Sequence, residues 1–146
     1  MIQISTEEDH VRREQGDFQD FVEGMNNKDV SFIDRLVDPN FVDHDPAPGQ
    51  KPGLQGLKDL MQMFFAAFPD IHVTVNRLVA DEDTVAGAVT TEGTQDGDFM
   101  GIPKSGRKIS MTELHMMRVE GGKMVEHWGV GDGMAMMQQL GVLDQE

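Results

Sequence analysis

The chain contains no cysteine, which removes disulfides, thiolate nucleophiles and cysteine-held metal or iron–sulfur centres from consideration. Positive charge is also scarce, with 12 Lys+Arg against 26 Asp+Glu and a formal net charge of -14. Such a surface repels phosphate backbones and anionic lipid headgroups, so no nucleic-acid or membrane partner is expected. No apolar run approaches the roughly 20 residues of a membrane span, and the stretch from Met1 to Asp9 lacks a basic segment followed by an apolar block. A soluble, cytoplasmic protein is expected. Also missing are a Gly-x-Ser-x-Gly elbow, a His-Glu-x-x-His pair, a phosphate-binding Gly-rich loop before a Lys and a Gly-x-Gly-x-x-Gly fingerprint. Chemistry is left to carboxylates, His, Ser/Thr and Lys.

What is present fits one domain over residues 1–146. Ser5 with Glu8 has capping-box spacing, and Val11, Phe18, Val22 and Met25 recur at helical intervals, predicting a first helix from Thr6 to Asn27. Asp29 can cap a second helix that Pro39 ends. Phe41 to His44 reads as a short strand running into a Pro/Gly loop, Asp45 to Gly53, placed to line a pocket mouth. Leu57, Leu60, Met61, Phe64, Phe65 and Phe68 mark a third helix, which Pro69 terminates. Beyond Asp70 the period becomes two: Ile71, Val73 and Val75; Val85 to Thr91; then Ile109, Met111, Glu113, His115 and Met117 on one face. A Gly121-Gly122 turn launches a last strand toward Asp132, and a helix follows over Gly133 to Leu140. Helices first and strands later predict an α+β fold, with helices packed on a curved antiparallel sheet.

On regular alternation, Asp132, Val130, Trp128, Glu126 and Met124 share one face of the last strand, and His127 points to the other. A carboxylate beside Trp128 would be partly desolvated and useful for proton transfer; it could equally cap the final helix. Glu113 and His115, on the neighbouring strand, could converge with Asp132 or form a structural ion pair. His127, of opposite parity, reads as structural, which also speaks against a metal held by His115 and His127. His44 and Asp45 sit where a strand enters the Pro-rich loop, either functional or simply exposed. Arg107 and Arg118 could pair with carboxylates or bind an anion. The 12 Met residues suit core filling or an apolar pocket.

Phe41 to His44, Gly56, Phe64 to Asp70, Glu92-Gly93-Thr94, Met100 to Pro103, Gly106-Arg107, Val125 to Trp128, Asp132 and Gln138 to Gly141 together resemble the SnoaL-like polyketide cyclases. The resemblance implies the nuclear transport factor 2-like fold, a cone-shaped α+β barrel of strongly bent sheet closed by helices, usually assembled as homodimers or larger homo-oligomers. It also implies a general acid/base at Asp132. Gln95 stands where many members have His, and Pro103-Lys104-Ser105-Gly106 replaces a commoner Pro-Pro-Thr-Gly. The expected activity is an intramolecular aldol condensation of a small hydrophobic polyketide ester, without cofactor or metal. Asp132, His115 and His44 would be catalytic, and Trp128, Glu113, Gln95, Met117 and Phe65 would bind substrate. An epoxide-opening or hydroxylating enzyme, and a binding module with an inert pocket, remain as alternatives.

Overall fold

The computed structural model describes residues 6–143. Helix α1 (Glu7–Asn27) opens on Thr6, whose Oγ1 accepts from the Asp9 amide at 3.1 Å while Asp9 Oδ2 accepts from the Thr6 amide at 3.2 Å. This reciprocal box satisfies two donors that the first helical turn would otherwise leave open. The Ser5 box expected from the sequence involves a residue outside the described ones. Helix α2 (Phe32–Leu36) is a single turn, shorter than Pro39 suggested, because Val37 already pairs with Met124 as the first residue of strand β1 (Val37–Asp43). Pro39 therefore lies in a strand, and it is tolerated because β1 is an edge strand with a register shift between Val37 and Val42.

Helix α3 (Gly53–Ala67) is followed by strands β2 (His72–Ala80), β3 (Thr84–Thr94), β4 (Lys108–Glu120) and β5 (Lys123–Gly131), then helix α4 (Gly133–Gln139). The α+β class agrees with the sequence reading, and the sheet is curved without closing into a barrel. Its order is β1-β5-β4-β3-β2. The expected all-antiparallel arrangement holds from β2 to β5, but β1 pairs with β5 in parallel. No hairpin links those two strands, so no turn geometry dictates their direction.

One irregularity matters for the site. Arg118 is opposite Glu126 while Val119 is opposite Met124, which leaves Val125 as an extra residue in β5. Across this bulge Met124 and His127 both face the helices, a spacing that strict alternation forbids. The core on that face joins Phe18 of α1, Phe32 and Ile33 of α2, and Leu57 and Met61 of α3 to Val73, Val85, Val89 and Met117 of the sheet. A second cluster, with Phe68, Phe99, Ile109 and Met136, fixes α4 and the loop before β4. Each fully buried aromatic or aliphatic side chain contributes about 1.5–3 kcal/mol through loss of water contact.

Candidate active site

Between α1, α3 and the covered face of the sheet lies a cavity of about 280 Å³. Most of its wall is apolar, with Phe18, Phe21, Val22, Phe41, Leu60 and Phe64 among the lining residues. The polar groups come from the sheet and the Pro/Gly loop: Asp43, Asp45, Gln50, Thr91, Glu113, His115 and His127. No Lys or Arg lines this cavity among the described residues.

Five of those side chains form a continuous hydrogen-bonded row across four strands. Asp43 Oδ1 lies 3.0 Å from His127 Nδ1, His127 Nε2 lies 2.9 Å from His115 Nδ1, and His115 Nε2 lies 3.1 Å from Glu113 Oε2. The Thr91 hydroxyl donates to Glu113 Oε1 at 2.5 Å and closes the inner end. Strand register explains the assembly. Asp43 and His127 are direct partners in the β1/β5 ladder, while His115 and Glu113 are opposite Gly129 and Gly131. Those two glycines leave the space the row occupies. A Cβ at Gly129 would sit 2.8 Å from His115 Nδ1 and 3.0 Å from His127 Cε1, and one at Gly131 would sit 3.1 Å from Glu113 Cγ.

Gly129→Ala should therefore displace the imidazole pair without disturbing backbone conformation. Turnover is expected to fall by at least about tenfold, since small misplacements of positioned groups are that costly. Gly133→Ala, which meets nothing within 4 Å, serves as the control in the same turnover and circular-dichroism measurements.

The two carboxylates at either side of the imidazoles share an electrostatic pattern. Burial pushes Glu113 upward, but the hydrogen bond and charge of His115, the Thr91 hydroxyl and the charge of His127 outweigh it and hold the carboxyl below its usual range. Burial likewise opposes the charged form of Asp43. The hydrogen bond and charge of His127, aided by the Asp45 amide and the Gln50 side chain, prevail there and lower it. With both acids ionised, each of the three contacts needs an N–H, so the two imidazoles must carry three protons between them.

The structure rearranges the sequence-based site. Asp132 does not share a desolvated face with Trp128 and does not converge with Glu113 and His115. It lies beyond the end of β5, is exposed, and accepts from the Ala135 amide at 3.0 Å as the N-cap of α4. Trp128 points to the uncovered face of the sheet, where the His44 ring stacks on it at 4.6 Å and His44 Nε2 meets Glu126 Oε2 at 2.8 Å. Arg118 pairs with the other oxygen of Glu126 at 2.6 Å. Gln95 is fully buried, yet it binds the following loop: its Nε2 donates to the Ile102 carbonyl at 3.0 Å and its Oε1 accepts from Ser105 at 2.5 Å. Phe65 packs against both core clusters and does not line the cavity. Met117, Glu113 and His115 do line it, together with Ile109 and Met111 of the same strand face.

Asp43, Gln50 and Thr91 were not singled out by sequence, and His127, read there as structural, belongs to the row. The available signals were Phe41 and Asp43 on one face of β1, and Gly129 and Gly131 on the face of β5 that carries His127. No group of three or more His, Asp or Glu side chains is arranged to hold a metal among the described residues.

Comparison with known proteins agrees with this architecture. TsrD from Streptomyces laurentii superimposes with a TM-score of 0.83 at 26% identity, covering 90% of this chain and 97% of that one. AclR from Streptomyces galilaeus, a proposed hydroxylase, gives 0.83 at 28% identity, covering 93% and 85%. IdmH from Streptomyces antibioticus, a proposed polyketide cyclase, gives 0.78 at 32% identity, covering 88% and 98%. The comparison with curated proteins returns no match. The family model for SnoaL-like polyketide cyclases matches residues 17–140, and the chain belongs to that family.

Proposed function

We propose that the protein cyclises a small, neutral polyketide ester by intramolecular aldol condensation, with Glu113 and His115 as the acid/base pair. The observation that carries this reading is a hydrogen-bonded carboxylate–imidazole row on one side of an otherwise apolar cavity. Three carboxylates outnumber the single positive charge shared by the two imidazoles, and no Lys or Arg lines that cavity among the described residues, which favours an uncharged ester over a free acid. Glu113 removes a proton from a carbon α to a carbonyl, breaking C–H and forming O–H. Once protonated, Glu113 is a poor acceptor, and the Nε2–H of His115 turns to the enolate oxygen. One such donor commonly lowers a barrier by about 3 kcal/mol. The enolate carbon attacks the second carbonyl, His115 protonates the alkoxide, and Glu113 returns its proton to His115. The substrate loses one proton from carbon and gains one on oxygen, and the enzyme ends in its starting protonation state.

Incubation with a neutral poly-β-keto methyl ester tests the reaction class. A product of unchanged mass, or one lighter by water, containing a new carbon–carbon bond is the expected outcome. A product with one more oxygen would instead support the hydroxylation suggested by the likeness to AclR. Asp132→Asn discriminates between sites in the same assay. Turnover within about twofold of wild type is expected, because Asn is an equally good helix cap; a loss of a hundredfold would return the acid/base role to Asp132.

The uncovered face of the sheet is assigned here to a second copy of the chain. Leu114 and Val130 are 57% and 66% exposed there, beside Val79, Met116 and Trp128, an apolar patch of a kind that isolated domains seldom leave bare. Leu114→Lys is expected to weaken self-association at least tenfold, read by light scattering across a dilution series. An unchanged mass at every concentration would reject this face as the contact.

A further inference from the structure

We infer that the row Glu113–His115–His127–Asp43 is a proton relay, in which a proton taken up beside the substrate at Glu113 is answered by release of one at Asp43, where the row reaches the loop at residues 44–52. This rests on the acid/base reading above and extends it from a pair of residues to a path with two ends.

Four observations support a path over a static strut. Each imidazole uses both nitrogens, one toward each neighbour, at 3.1, 2.9 and 3.0 Å along the row; an imidazole fixed only for packing needs one such bond. The contacts are direct, so no bridging water is required for a proton to pass. The inner end is shut: Thr91 is buried, and its hydroxyl is already engaged with Glu113. The outer end is tied to surface backbone. Asp43 Oδ1 also accepts from the Asp45 amide at 3.1 Å, Asp43 Oδ2 accepts from Gln50 Nε2 at 3.3 Å, and Gln50 Oε1 accepts from the Ala47 amide at 3.0 Å. Asp45, Pro46, Pro48 and Gly49 of that loop are exposed.

The transfers balance. At Glu113 the substrate C–H bond breaks and an O–H bond forms. His115 passes its Nδ1 proton to His127 Nε2, His127 passes its Nδ1 proton to Asp43 Oδ1, and Asp43 gives one proton to water at the loop. When the alkoxide takes the His115 Nε2 proton, Glu113 returns its own to that nitrogen, and water gives one proton to Asp43, which passes through His127 to His115 Nδ1 and restores both tautomers. Asp43 and His127 are accordingly positioning and proton-carrying residues, while Glu113 and His115 act on the reacting atoms.

The test uses the intact protein and methyl 3-oxopentanoate deuterated at C2, a small neutral β-keto ester, with loss of deuterium followed by NMR in H2O–D2O mixtures. For wild type the rate should depend on deuterium fraction along a curve, because several protons move together. Glu113→Gln should fall to the uncatalysed rate, whereas Asp43→Asn should exchange about tenfold more slowly with a linear dependence. His127→Phe, which fills the same space, should match Asp43→Asn. If Asp43→Asn or His127→Phe keeps the wild-type curvature, the relay is wrong while the acid/base pair stands. If Glu113→Gln exchanges at the wild-type rate, the acid/base pair itself is wrong. A probe-independent check is 15N NMR of histidine-labelled wild type. A coupling across the His115 Nδ1–His127 Nε2 contact is expected, and its absence would overturn the relay whatever the kinetics.

Discussion

Replacing Glu113 with Gln is expected to lower turnover by roughly 10²- to 10⁴-fold while leaving the thermal midpoint within a few degrees of wild type. The amide has the shape of the carboxylate, its oxygen can still accept from Thr91, and His115 can adopt the tautomer that accepts from the new NH2. What disappears is basicity. The loss should appear in kcat more than in KM, because proton removal is made only in the transition state. Retention of more than a tenth of wild-type turnover would mean that another group removes the proton.

A second large effect is expected at Glu14, which does not line the cavity. This residue of α1 is only 5% exposed, and its Oε2 has no hydrogen-bond partner among the described residues. Burial, then the charges of Asp81, Asp83 and Asp17, push its carboxyl up to about 7 against a small opposing effect of Arg13. The sign follows from linkage. Below the ordinary value of 4.5 the folded and unfolded chains both hold this proton. As pH rises toward 7 the unfolded chain releases it and the folded chain keeps it, so the folded state loses stability through that window. Glu14→Gln should thus be more stable than wild type at pH 8 by on the order of 2 kcal/mol, about 5 °C in thermal midpoint. The two proteins should melt alike at pH 4. A difference that does not change with pH would assign the effect to packing instead of ionisation.

Periodicity revealed the long elements, because α1, α3 and the strands beginning near Ile71, Val85 and Ile109 each carry an apolar repeat strong enough to be read locally. The face of β4 with Met111, Glu113, His115 and Met117 was legible for the same reason. The face of β5 was not. Trp128 is the largest side chain in that strand and invites placement inside, yet Gly129 and Gly131 mark the covered face, where the neighbouring strand's side chains need room. The bulge at Val125 leaves no signature in a pattern of alternating residues. Asp43 and His127 are 84 positions apart, and only the parallel β1/β5 ladder brings them together. Asp132 was ambiguous between cap and acid on local grounds, and its geometry is that of the cap.

The parallel ladder also sets an order in time. Strand β1 is at the sheet edge with β5 as its sole neighbour, so it has nothing to pair with until residues 123–131 exist. During synthesis the first strand of the sheet to be made must wait for the last, and Asp43 stays without His127 until β5 has emerged. The strands β2 to β4 can assemble from hairpin-like neighbours in the meantime, since contacts close in sequence form at lower entropic cost. A nascent chain lacking β5 can therefore bury part of its core while Glu113 and His115, both on β4, have neither His127 nor Asp43 to join, and the row is completed in a single step when β5 pairs with β1.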